Sequence, residues 1–203
     1  FTRKLKEGER PIPKSEDLLI SPCDGKLSVY PISEKGRFKI KHTGYTLIQL
    51  LRNQKLAKRF QNGSIFIFRL TVDDYHRYCY VADGVKSSNY RIPGVLHTVN
   101  PVANDQEPIY KENTREYCLL HTTRFGTVLM MEVGALMVGK IHNYHGAGKV
   151  KRGQEKGRFE FGGSTIILLT EPGKVQIDRD LLKNSRHGYE TVVKSGEAIG
   201  RKL

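Results

Sequence analysis

Tryptophan is absent from this 203-residue chain, and cysteine occurs only three times, at Cys23, Cys79 and Cys118, never in C-x-x-C spacing. An odd, scattered set of thiols argues against a disulfide framework and suits a reducing compartment. No apolar run approaches the roughly 18 to 20 residues of a membrane-spanning helix. The polar, basic opening Phe1-Thr2-Arg3-Lys4-Leu5-Lys6 carries no secretory leader. It also lacks an initiating methionine, which reads as a fragment or processed product with room for an anchoring segment before residue 1. Acidic residues are scarce too: 21 Asp and Glu against 34 Lys and Arg give +13 and a pI near 9.7. That excess favours an anionic partner, nucleic acid or an acidic lipid surface, and fits equally a basic soluble enzyme kept dispersed by its lysines.

What is present is mostly strand. Residues 1–19 are charged and punctuated by Pro11 and Pro13, and read as a basic arm before a core of residues 20–203. Lys26-Leu27-Ser28-Val29-Tyr30, after the Asp24-Gly25 turn, is a strand, and Arg37 to Lys41 alternates as a half-buried one. Ser64–Leu70 and Ser164–Leu169 are buried strands. Tyr117–His121 and Thr127–Met137 form a hairpin through Phe125-Gly126. Leu47, Leu50, Leu51, Leu56 and Phe60 recur at helical spacing and predict a single helix over Thr46–Phe60. An internal echo, V-K-x-G-x-x-x-G, occurs at Val150–Gly157 and again at Val193–Gly200, which predicts two similar turns. No βαβ alternation is visible, so the fold class is α+β, mostly β, in one compact domain of short antiparallel strands with few helices and a β-rich C-terminal unit.

Chemistry concentrates at Gly162-Gly163-Ser164-Thr165, at the mouth of an apolar strand. Glycine tolerates strained backbone, so the Gly163 carbonyl can approach the Ser164 hydroxyl. An ordinary glycine turn before a strand is the plain alternative. Attack by that hydroxyl would turn the peptide bond into an ester. Elimination and hydrolysis would then leave an N-terminal pyruvoyl ketone.

Several short blocks in a fixed order surround this segment. They are Phe1-Thr2-Arg3-Lys4-Leu5, Ser21-Pro22-Cys23-Asp24-Gly25, Asp74-Tyr75-His76-Arg77, Gly94-Val95-Leu96-His97-Thr98-Val99-Asn100-Pro101, Asn113-Thr114-Arg115-Glu116, Val133-Gly134-Ala135, Val138-Gly139 and Gly163-Ser164-Thr165. In order and spacing the chain closely resembles the phosphatidylserine decarboxylase family over nearly its whole length. The resemblance implies autocatalytic cleavage between Gly163 and Ser164, giving a β chain of residues 1–163 and an α chain of residues 164–203 that stay partnered. It implies a pyruvoyl cofactor made from Ser164, which acts as electron sink while carbon dioxide leaves the substrate. It implies phosphatidylserine as substrate, a peripheral place on the cytoplasmic side of the cell membrane, and an anionic membrane surface as partner, with homo-oligomers left open and no nucleic acid. Two other readings remain: a soluble pyruvoyl-dependent decarboxylase of a free amino acid, and a non-catalytic basic module for membrane or nucleic acid.

On the resemblance, Asp24 belongs to the self-cleavage machinery, although Asp-Gly is also a strong turn dipeptide. His76 is implied as catalytic, a proton donor or carboxylate contact, against a structural role in a charged surface network. Many relatives carry a second histidine three positions on, as base of an Asp-His-Ser set; here that position is Cys79. A thiol with an ordinary pKa near 8.5 is mostly protonated at neutral pH. Then His76 serves as the base, or another histidine such as His97 or His121 reaches Ser164, or cleavage is slow, or the chain stays an uncleaved pseudoenzyme. His97 and Arg115 are candidate substrate contacts, Arg115 through a bidentate grip on phosphate or carboxylate or else in a structural ion pair. His142 and His145, three apart, lack further ligands, so no metal is expected. The basic ends Arg3–Lys6 and Arg201-Lys202 suit an anionic bilayer or are solvated tails.

Overall fold

The structure, a computed structural model, describes residues 3–6, 8–40, 43–94, 112–134, 140–160 and 164–203. Its strands are β1 (Leu18–Ile20), β2 (Gly25–Pro31), β3 (Arg37–Ile40), β4 (Thr43–Thr46), β5 (Ser64–Leu70), β6 (Arg77–Cys79), β7 (Gly84–Lys86), β8 (Tyr90–Ile92) and β9 (Arg115–Thr122). They continue with β10 (Thr127–Val133), β11 (Lys140–Asn143), β12 (Gly148–Val150), β13 (Glu155–Glu160), β14 (Ser164–Thr170), β15 (Val175–Ile177), β16 (Thr191–Val193) and β17 (Ala198–Lys202). Three helices join them: α1 (Leu47–Leu51), α2 (Gln54–Phe60) and α3 (Arg179–Arg186). The fold is α+β and mostly β, as the pattern of short apolar runs and turn glycines predicts.

A nine-stranded antiparallel sheet dominates the described residues, in the order β12-β7-β9-β10-β14-β5-β2-β16, with β8 also on β9. Its middle strands are apolar at nearly every position because both faces are covered. In β10 and β14 all seven residues of each strand are buried. Side chains alternate across a strand, so Ile166 and Leu168 join Leu27, Phe66, Phe68 and Met130 on one face. Ile167 and Leu169 join Ile65, Ile67, Leu129 and Met131 on the other. Each fully buried aliphatic or aromatic side chain contributes about 1.5–3 kcal/mol, and the two packed faces together hold the sheet.

The first face is covered by the small sheets β11-β13-β6 and β1-β17-β15 together with α3. The second is covered by the β3–β4 hairpin, α1 and α2, which bury Phe38, Tyr45, Leu47, Leu50 and Phe60. Here the expected single helix is broken. Arg52 adopts the left-handed conformation (φ 48°), and Asn53 then caps a second helix by accepting from the Leu56 N–H at 2.9 Å. The left-handed turn at a non-glycine residue costs roughly 1–2 kcal/mol. It is offset by the new cap and by turning both Leu50 and Phe60 inward.

The internal echo corresponds to two equivalent turns. Val150 ends β12 and Val193 ends β16; Gly153 (φ +77°) and Gly196 (φ +87°) then reverse the chain. In both, the first turn N–H donates to a side chain three residues on, Lys151 to Gln154 and Lys194 to Glu197, each at 2.9 Å. Ile12 lies against both turns, and a Cβ at Gly153 would collide with its side chain. Residues 12–18 are therefore laid along the protein. Arg152 fastens them through the carbonyls of Pro13, Ser15 and Leu18.

Candidate active site

Strand register gathers the sequence motifs at one end of the large sheet. Lys26 pairs with Arg69 and Ser164 pairs with Leu70, so Gly25 and Ser164 flank the end of β5. Thr165 pairs with Val133, Val133 with Arg115, and Val193 with Gly25. Asp24, the loop from Thr71 to His76, Ser164 and the Lys194-Ser195 turn thus emerge together. With strands about 4.8 Å apart, the backbones at Gly25 and Ser164 stand about 10 Å from each other.

Ser164 opens β14 and is completely buried. Its hydroxyl has no hydrogen-bond partner among the described residues, and neither has that of Thr165. A buried hydroxyl left without a partner costs about 1–3 kcal/mol. Such orphans in a packed interior are rare and point to a functional demand. Alternation places Ser164 on the same face as Ile166, toward β6 and β13.

His76 approaches from that same side and is also fully buried. Its backbone carbonyl accepts from the Phe159 N–H at 3.0 Å, which sets it beside β13 just before the chain reaches Ser164. Its Nδ1 lies 2.8 Å from the Asp74 carbonyl oxygen. A carbonyl can only accept, so Nδ1 carries a proton, and that bond fixes the orientation of the ring. The loop is shaped by the Asp74 side chain, which accepts from the Thr71 N–H at 2.7 Å, the Thr71 hydroxyl at 2.8 Å and Lys26 at 3.2 Å. Burial pushes the Asp74 carboxyl up, but these donors outweigh it and leave the pKa lowered.

Asp24 is 2% exposed and is gripped from three sides. Arg10 donates Nε at 2.9 Å to one carboxylate oxygen and Nη2 at 2.6 Å to the other. The Ser195 N–H adds a bond at 2.9 Å and Lys194 stands at 3.4 Å. Burial again pushes this carboxyl up; the Arg10 bond, the Ser195 amide and the two positive charges overcome it, and Asp24 stays ionised below the ordinary range. None of Arg10, Lys194 and Ser195 is singled out by the sequence reasoning. The one available signal was Arg10 and its flanking prolines in a segment that looked like a solvated arm.

Cys79 sits beside this group, its sulfur 3.6 Å from the Ser195 hydroxyl and its N–H bonded to the Pro22 carbonyl at 2.8 Å. Burial drives the thiol up to about 11. At neutral pH it is a neutral, packed group and no base. A cavity of about 180 Å³ opens beside β6, lined in part by Leu5, Arg10, Tyr75, Cys79 and Ser195.

The other candidates fall elsewhere. His121 pairs with Thr127 at the opposite end of the sheet, where β14 finishes at Thr170. Six residues of strand, about 20 Å, separate that end from Ser164, which removes His121 as a base for Ser164. Arg115 is at the right end but faces inward. Its guanidinium donates to the carbonyls of Leu50 (2.8 Å), Gln49 (3.1 Å) and Asn113 (2.8 Å), tying β9 to the end of α1. Neither the bidentate contact nor the ion pair offered for Arg115 is what these carbonyl bonds make, and burial together with the Arg52 charge lowers Arg115 to about 10. His97 and Gly163 lie outside the described residues, as does Lys41 of the predicted strand. So does the stretch from Ala135 to Met137, and β10 stops at Val133. His142 faces Glu160 at 3.1 Å and His145 contacts Tyr80 at 3.2 Å.

One polar cluster escaped the sequence reading altogether. Between the large sheet and β11–β13, fully buried Lys156 donates to fully buried Glu132 at 2.7 Å and to Asn143 at 2.5 Å. Asn143 donates in turn to Glu116 (3.0 Å) and Glu132 (3.1 Å). Burial holds the Glu132 carboxyl above its usual value against the pull of Lys156.

An ionised carboxylate, a buried histidine whose ring is oriented by a backbone carbonyl and a buried hydroxyl with no partner among the described residues, all at one sheet end, are the equipment of an acid–base enzyme on a mostly-β scaffold. The profile of the phosphatidylserine decarboxylase family matches residues 1–201. Phosphatidylserine decarboxylase proenzyme 2 of Clostridium acetobutylicum is 49% identical over 200 residues, 98% of this chain and 68% of the relative. The phosphatidylserine decarboxylase proenzymes of Clostridium tetani and Clostridium botulinum are 42% identical over 206 residues and 41% over 205. Each of these two matches spans 100% of this chain, with 69% and 70% of the relative covered. The chain belongs to the phosphatidylserine decarboxylase family.

Proposed function

We propose that this protein cleaves its own chain between Gly163 and Ser164 and then converts phosphatidylserine to phosphatidylethanolamine and carbon dioxide with the pyruvoyl group formed at residue 164. The observation that carries the reading is the buried Ser164 hydroxyl, which spends its energy on no hydrogen bond among the described residues. Such a nucleophile must lose a proton as it attacks, and His76, buried on the same side of the sheet, is the residue to which we assign that proton.

The Ser164 Oγ adds to the Gly163 carbonyl carbon, and the Ser164 nitrogen leaves it with a proton, forming an ester. Loss of the Ser164 α-proton expels the Gly163 carboxylate from Cβ and leaves dehydroalanine. Water replaces the nitrogen as ammonia, and a ketone remains at the head of residues 164–203. The site fits that group: the residue that becomes it is packed at a strand mouth, where β14 holds its position and water is excluded. The ketone supplies an electron sink for the decarboxylation of a bound amine. His76, with Nδ1 fixed on the Asp74 carbonyl, returns a proton to the carbon that has lost its carboxylate. Asp24, anchored by Arg10 and the Ser195 amide, keeps a fixed negative charge at the site and sets the electrostatics in which His76 works.

We place it at the cytoplasmic face of the cell membrane as a peripheral enzyme, a reading that the excess of Lys and Arg over Asp and Glu supports. Intact-mass measurement of the purified protein tests the proposal. A fragment starting at residue 164, with ketone in place of amine, is expected in wild type. Ser164→Ala gives one uncut chain that releases no carbon dioxide. His76→Ala loses turnover. A Ser164→Ala chain that still splits, or an unbroken wild type that releases carbon dioxide at full rate, overturns the reading.

A further inference from the structure

The chain's positive charge is concentrated in one stretch. From Lys35 to Val72 there are nine Lys and Arg and no Asp or Glu, so +9 of the net +13 falls there and the other 165 residues share +4. That stretch builds the cover of the second sheet face, the β3–β4 hairpin with α1 and α2, and then enters β5. Its apolar residues point inward, and Arg37, Lys39, Arg52, Lys55 and Lys58 are exposed. Between them the surface is not merely charged. Ile48 is 53% exposed. A groove of about 720 Å³ runs beside Phe38 and Tyr45, rimmed by Arg37 and Lys39. A second, of about 590 Å³, runs beside Leu56, Tyr90 and Tyr117, rimmed by Lys55 and Lys58.

We propose that the outer surface of this hairpin-and-helix layer is the face on which the protein lies against an anionic lipid bilayer. The inference deepens the proposed function by assigning the surface that meets the lipid. Charge complementarity selects the occupant. An acid-free array of lysines and arginines, with aliphatic and aromatic side chains between them, matches a plane of negative headgroups over an apolar interior. The basic ends of the chain do not offer this. Arg3 reaches the Asp73 carbonyl, and Arg201 lies 3.9 Å from Asp178. The layer also borders the site: Arg115 holds the last carbonyls of α1 at the sheet end where Ser164 lies, and Arg52 follows directly. The layer and the proposed active site thus share one end of the sheet, on its opposite faces.

The test is sedimentation with phosphatidylcholine vesicles, with and without phosphatidylserine, of wild type and of the triple variant Lys39→Glu, Lys55→Glu, Lys58→Glu. A control variant carries Lys149→Glu, Lys151→Glu and Lys183→Glu. Wild type is expected to bind only the anionic vesicles, and less so as salt rises. The layer variant loses about a hundredfold in partitioning and the control much less. Both variants keep wild-type decarboxylation of phosphatidylserine dispersed in detergent, which separates docking from chemistry; a wild type inactive in detergent speaks against the proposed function and leaves the vesicle result standing by itself. Equal losses in the two variants overturn the proposal. So does unchanged vesicle binding in the layer variant, including the case where it has lost affinity for a nucleic-acid oligonucleotide instead.

Discussion

The two covers of the large sheet treat charge in opposite ways. On the first face, cations are matched by acids: Arg10 with Asp24, Arg77 with Glu155, Arg158 with Glu160, and, buried completely, Lys156 with Glu132. On the second, the hairpin and helices present lysines and arginines from an acid-free stretch, with Arg59 drawn off to Glu171. Paired charges fix geometry at the cost of desolvation, and they lie where Asp24 and His76 must be held. Unneutralised charges do little for the fold and keep a long-range field. The contrast separates residues that shape a site from residues that address a surface.

The largest expected effect comes from breaking the buried pair. In the uncut Ser164→Ala chain, which keeps unfolding a single-chain process, Lys156→Ala is expected to cost about 3–5 kcal/mol because Glu132 is left buried without a partner. The double replacement Glu132→Gln with Lys156→Met recovers most of that loss. On the opposite cover, Lys55→Ala shifts stability by no more than about 0.5 kcal/mol. Urea unfolding midpoints at fixed pH decide; similar costs on the two faces would erase the contrast.

A smaller change is expected at Arg10. Arg10→Met removes a two-pronged bond to a carboxylate, about 1.5–3 kcal/mol in the same urea assay, and slows self-cleavage. The sign with pH follows from Asp24. Its folded pKa is lowered from the ordinary aspartate value of 3.8, so the stabilisation is fully present above that value and is lost as pH falls through the lower folded one. The gap between Arg10→Met and its parent is therefore widest near neutrality and closes in acid. A gap that widens in acid would mean that Arg10 does not act through the Asp24 carboxylate.

The smallest effect belongs to Cys79. With its thiol raised to about 11, it contributes no base at pH 7. Cys79→Ala should leave the half-time of chain cleavage within about twofold, followed on a denaturing gel after synthesis at neutral pH. A stalled precursor would return the base role to the thiol.

Much of the fold was legible because its strands announce themselves. Ser64–Leu70 is predicted and observed with the same bounds, and Ser164–Leu169 gains only Thr170, since a run of Ile, Phe and Leu between turns has few other uses in water. The repeated V-K-x-G turns were visible for the same local reason. The helix over Thr46–Phe60 was misjudged because apolar spacing survives a break: Leu47, Leu50, Leu56 and Phe60 all face inward although Arg52 interrupts the helix. At the site, Asp24, His76 and Ser164 were named from motif resemblance. Arg10 and Ser195 were not, since neither carries a local signal of what it meets across more than a dozen residues of chain.

Sequence by itself determined the class of fold, the excess of positive charge and its confinement to one stretch, and the glycine-serine junction where the chemistry is proposed. These are properties of neighbours along the chain. Which end of the sheet each residue occupies was decided only by tertiary structure. Pairing register sent His121 about 20 Å from Ser164 and turned Arg115 inward toward α1. It also enclosed Glu132 with Lys156 and laid the hairpin and helices of the acid-free stretch over one face of the sheet. Register is set by burying both faces of the sheet at once, a condition that no single segment can express.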